Sequence, residues 1–126
     1  MKSYTNLEQS KKLVEILPIE SADMHYNNVS IKGINYVDEH KAELMEYNRA
    51  IKVLSKYTIN PLFEVIPCWS LAALLDVLPK GYSLGRRTNG KFYVCMTHIK
   101  HNISEFDNPI DACVETIIKL HEQNLL

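Results

Sequence analysis

Two prolines fence the run "PCWSLAALLDVLP" at residues 67–79. Pro79 lacks the N–H a helix needs and crowds the turn before it, and Gly81 follows two residues later. At the other end Ser70 is a natural N-cap, its hydroxyl placed to accept an early backbone N–H. Leu71, Leu74, Leu75 and Leu78 then recur at i, i+3, i+4 and i+7. The run predicts a helix of about two turns over 71–78, with one leucine face. So short a helix is marginal by itself and needs something to pack on.

The next segment supplies it. "YSLGRRT", Asn89-Gly90 and "KFYVCMTHI" predict a β-hairpin over about 82–99. Asn-Gly tolerates the two positive φ values of a type I′ turn. Phe92, Val94, Met96 and His98 fall on one face, Tyr93, Cys95, Thr97 and Ile99 on the other. Both faces are largely apolar, which predicts cover on both sides. A last helix is expected over about 109–123. Asn108 caps it, Pro109 takes its first position and Asp111 puts negative charge in the first turn. Ile110, Cys113, Val114, Ile117 and Leu120 or His121 form its inner stripe.

The first half of the chain has fewer signals. Thr5-Asn6-Leu7-Glu8 has the form of a capping box and opens a helix over about 6–17, which Pro18 stops. Leu13, Val14 and Leu17 fall on one side. Residues 18–28 read as irregular, and "VSIKGINYV" alternates well enough for a strand over about 29–37. Leu44, Tyr47, Ile51 and Leu54 predict an extra helix over about 39–56, with Glu39, Glu43 and Glu46 on its solvated face. Residues 59–66 read as a connector, with a short extended piece before Pro67.

Totals bound the function classes. A chain of 126 residues suits one domain, 1–126, with one core. Lys+Arg is 14 and Asp+Glu 15, a net charge of −1. That balance argues against a nucleic-acid coat, a polybasic membrane anchor and an acidic tail. The opening "MKSYTNLEQSKKLVEILPIE" lacks the apolar core and cleavage site of a signal peptide, and no apolar run is long enough to span a bilayer. The expectation is a cytoplasmic protein without membrane contact. Cys68, Cys95 and Cys113 are odd in number and set among apolar residues, so free buried thiols are expected.

Each candidate for chemistry has a structural counter-reading. Cys68 sits just before a helix start, where the positive end of the dipole favours a thiolate. Cys68-Trp69 also echoes a papain-like signature, with His98 or His101 and Asn102 or Asn108 as further members. The small Gly-Ser lead-in is missing, however, and Pro67 stands there. The structural reading is a hydrophobic staple, with Trp69 at N′ and Leu74 at N4. Cys95, His98 and His101 spell C-x-x-H-x-x-H, but i and i+3 on a strand point to opposite faces. No metal and no cofactor are expected. Glu20, Asp23 and His25 form a possible loop cluster. From Lys80 to His101 there are five basic residues, Lys80, Arg86, Arg87, Lys91 and Lys100, with no Asp or Glu. Interleaved with Tyr82, Phe92 and Tyr93, they could contact phosphates and stack on bases. The counter-reading is an edge guarded against aggregation by charge.

The combination of "PCWSLAALLDVLP", the hairpin around "NGKFYV" and the closing "DNPIDACVETIIKLHEQNLL" resembles a group of small proteins of gut bacteria and their phages and mobile elements. More distantly it is similar to the phage ABA sandwich domain family. Ser70 to Leu78 and Pro109 to Leu120 would be the family's two helices, with Ala112 and Cys113 at its small-residue positions. The likeness covers roughly residues 66–126. It implies a layered α/β sandwich and a phage or mobile-element origin, and it carries over no catalytic residue.

The expectation is therefore an α+β fold. A small, mainly antiparallel sheet holds the 82–99 hairpin, helices 6–17, 71–78 and 109–123 pack on it, and helix 39–56 is added. The expected core is Leu13, Leu17, Trp69, Leu71, Leu74, Leu75, Leu78, Val94, Ile110, Cys113, Val114 and Ile117. The expected function is that of a non-enzymatic accessory protein with an unknown protein partner or self-association. The alternatives are a nucleic-acid-associated protein using residues 80–101, with Arg86, Arg87, Lys91 and Lys100 as contacts, and a small enzyme using Cys68.

Overall fold

In the first segment the helix starts one residue later than its sequence pattern suggests. A computed structural model describes residues 3–31, 34–37, 43–44, 63–96 and 103–126. Helix α1 spans Leu7–Val14, and its N-cap is Asn6 rather than Thr5. Asn6 Oδ1 accepts from Gln9 N at 2.7 Å, and Gln9 Oε1 accepts from Asn6 N at 3.0 Å. The reciprocal box is thus present, built by Asn6 and Gln9 in place of Thr5 and Glu8. Thr5 is instead buried. The buried stripe runs Ser10, Leu13, Leu17, at spacings of 3 and 4. Val14, expected on that stripe, is 37% exposed, because it lies a further 100° round the helix.

The chain divides into two compact units, Asn6–Trp69 and Ser70–Leu126 together with Met1–Thr5. In the first, a single 3₁₀ turn at Ile19–Ser21 leads into strand β1, Met24–Ile31. Strands β2 (Ile34–Val37), β3 (Glu43–Leu44) and β4 (Phe63–Cys68) all pair with β1, antiparallel. At Met24 and His25 both β3 and β4 pair with β1, and at Asn28 and Val29 both β2 and β4 do. A strand has only two edges, so β2 and β3 share one and β4 takes the other. Helix α1 packs against β4.

Three expectations for this half are corrected. Residues 24–28 are strand, not irregular chain. The predicted strand 29–37 is shared by two strands, β1 up to Ile31 and β2 from Ile34, paired antiparallel. The predicted helix 39–56 fails at Glu43–Leu44, which pair with His25 and Met24; the rest of that helix lies outside the described residues, apart from residues 43–44. Among the described residues β4 pairs with β1 alone, so Pro67 sits in an edge strand, where a missing N–H is tolerated.

The second unit follows its sequence more closely. Helix α2 spans Leu71–Val77, with Ser70 Oγ accepting from Ala73 N at 3.3 Å. Gly81 has φ +94°, a left-handed conformation that releases the chain from Pro79 into β5. Strands β5 (Tyr82–Arg86) and β6 (Phe92–Met96) form a separate two-stranded sheet, with Leu84 opposite Val94. The chain thus builds two sheets where one is expected.

Helix α3 spans Pro109–Glu122, capped by Asn108, whose Oδ1 accepts from Asp111 N at 2.9 Å. Its end is a full Schellman motif. Asn124 has φ 57°, Asn124 N donates to His121 O, and Leu125 N donates to Leu120 O at 2.8 Å. Ile110, Cys113, Val114, Ile117 and Leu120 are buried, and His121 is exposed. Helix α3 packs on β6, β5 and α2.

Both units set helix against antiparallel sheet, so the fold is α+β. Of the expected core, Leu71 is only half-buried and Leu75 is 39% exposed. Ala73, Leu74 and Leu78 form the buried face of α2 instead. Tyr26, Ile66, Cys68, Ala112 and Leu120 join the core.

Candidate functional site

The hairpin tip departs from the two-residue turn that Asn-Gly suggests. Gly90 N donates to Arg87 O at 2.9 Å, closing a turn over Thr88 and Asn89, and Arg87 N donates to Lys91 O at 2.8 Å. Only Gly90 has positive φ, at +85°; Asn89 does not. This is a three-residue loop, a turn followed by one left-handed glycine, rather than type I′. Asn89 is used by its side chain, whose Oδ1 accepts from Lys91 N at 2.9 Å.

That loop arranges the basic residues. The Arg86 guanidinium lies over the Phe92 ring at 5.5 Å, and that of Arg87 over Tyr93 at 4.7 Å. Arg87 Nε also pairs with Glu105 Oε1, while Glu105 Oε2 accepts from Asn89 Nδ2 at 3.2 Å. Glu105 is brought there by its neighbour. Phe106 bridges antiparallel to Phe92, with Phe92 N to Phe106 O at 2.7 Å and Phe106 N to Phe92 O at 2.8 Å. The basic stretch is therefore partly neutralised by an acid four residues past its end. Lys80 and Lys91 are exposed; Lys100 lies outside the described residues.

The expected cover on both sides of the hairpin is also corrected. Val94 alone is buried in β6, Phe92, Tyr93 and Cys95 are half-buried, and Met96 is 38% exposed. Beside β6 an open groove of about 230 Å³ runs to residues 103–106 and the C-terminal half of α3. Cys95, Met96, Ile103 and Phe106 line it with Glu115 and Lys119.

Cys68 stands two residues before Ser70, the N-cap of α2. It ends β4, opposite Met24, and has no solvent exposure. Of its proposed companions, His98, His101 and Asn102 lie outside the described residues. Asn108 is committed to the cap of α3, its Nδ2 donating to Asp111 Oδ2 at 2.7 Å. Burial pushes the Cys113 thiol up, from an ordinary 9.0 to about 11. Cys95 is half-buried and free of any disulfide.

The three residues of the expected loop cluster stand on three kinds of backbone. Glu20 lies exposed in the 3₁₀ turn, Asp23 just precedes β1, and His25 belongs to β1, opposite Pro67 and Glu43. Among the described residues no group of three His, Cys, Asp or Glu could hold a metal ion, and no helix is long and apolar enough to cross a membrane.

Glu105 is the residue that sequence reading missed. Its placement depends on the Phe92–Phe106 bridge, and the only sequence hint is a lone aromatic, Phe106, between two acids. No family model matches the chain, nor does any curated protein or any solved structure.

Proposed function

We propose that this chain is a non-enzymatic accessory or interaction protein of the phage or mobile-element type, cytoplasmic, and working through the hairpin unit. The surface beside β6 carries the reading. Met96 is 38% exposed there, and Cys95, Ile103 and Phe106 are half-buried around the groove. Covering such side chains gains about 25 cal/mol per Å² of apolar area, which a partner surface or a second copy supplies. Burial of Cys68, and the raised thiol of Cys113, count against cysteine nucleophiles at those two positions. The phage or mobile-element assignment rests on the motif likeness alone.

The test is size-exclusion chromatography with light scattering over a wide concentration range, with a pull-down from the host. Self-association or a retained partner, lost on Met96→Lys, is the expected result. A strict monomer that retains nothing overturns the reading.

A nucleic-acid-associated role is the second reading. The exposed Arg86 over the Phe92 ring and the exposed Lys91 favour it, and the Glu105 carboxylate on Arg87 opposes it. Salt-sensitive binding should vanish on replacing Arg86 and Arg87 by Glu. Absence of binding at low salt ends this reading.

A further inference from the structure

We draw no further inference here: the strongest candidate, the open groove between β6, residues 103–106 and the C-terminal half of α3, combines apolar side chains with a Glu115–Lys119 rim, and nothing in the structure shows what covers it.

Discussion

Tyr93 lies across Gly85, its partner in the β5–β6 ladder, so closely that a Cβ built at position 85 would come within 2.3 Å of the ring Cζ. The Arg87 guanidinium also stacks on this ring. The glycine therefore makes room for an aromatic ring across the hairpin. Gly85→Ala must displace the ring and disturb the cation–π contact, at a cost of about 1 kcal/mol. In a Tyr93→Ala background the same substitution should be neutral or stabilising, since alanine is less flexible than glycine when unfolded. A double-mutant cycle by urea denaturation measures the difference. Coupling below about 0.5 kcal/mol would show that the ring yields freely.

The capping register of α1 makes a sharper test. Gln9, not Glu8, returns the hydrogen bond to the cap. Asn6→Ala should cost about 1 kcal/mol, with a smaller loss for Gln9→Ala. Glu8→Ala should cost only the few tenths due to a charge near the helix start. If Glu8→Ala is more damaging than Gln9→Ala, the helix begins one residue earlier.

What could be read from the sequence follows the range of the forces involved. Caps and stops act within four residues, so Ser70, Pro79, Asn108 and Pro109 marked α2 and α3 closely. The same signals left α1 ambiguous by one residue, because Thr5 and Asn6 are both good caps. Strand β1 was hidden for a different reason. Its Asn27 and Asn28 are poor strand formers, and its support comes from β4, with Tyr26 opposite Ile66 forty residues on. Tertiary pairing overrides propensity there. At the candidate site the arginines were visible as a charge run, while the pairing of Arg87 with Glu105 depended on the Phe92–Phe106 bridge.

Two adjacent leucines in α2 separate packing from hydrophobicity. Leu74 is fully buried, and Leu75 is 39% exposed. Leu74→Ala should cost about 2–5 kcal/mol by lost transfer energy and a residual cavity. Leu75→Ala should stay within about 1 kcal/mol, with better helix propensity offsetting lost contacts. Thermal or urea denaturation ranks the pair, and similar costs would contradict the orientation of α2.

The Arg87–Glu105 pair should contribute little to stability. Both side chains are partly in water, at 40% and 32% exposure. Coupling in an Arg87→Ala, Glu105→Ala cycle is expected at about 0.5–1 kcal/mol, shrinking as salt rises. The informative effect is on charge. Glu105→Gln frees Arg87, so any nucleic-acid affinity of the hairpin should rise in this variant. If the wild type binds and Glu105→Gln does not strengthen it, Arg87 is not a contact.

The cysteines give the most direct chemical test. Cys68 and Cys113 have no solvent exposure, whereas Cys95 is half-buried. Iodoacetamide at neutral pH should label native protein at Cys95 alone, with the other two labelled only after unfolding. Mass spectrometry of the digest reads this, and fast native labelling of Cys68 would revive it as a reactive residue. The Cys113 shift adds a pH dependence of known sign. Its folded value, about 11, lies above the ordinary 9.0. The unfolded chain therefore loses this proton first. The stabilisation is fully present below pH 9 and lost as pH rises through 11, amounting to roughly 2–3 kcal/mol if the whole shift is realised. Wild type should lose stability across that window more steeply than Cys113→Ala. Parallel slopes for the two proteins would mean that burial of the thiol does not govern its ionisation.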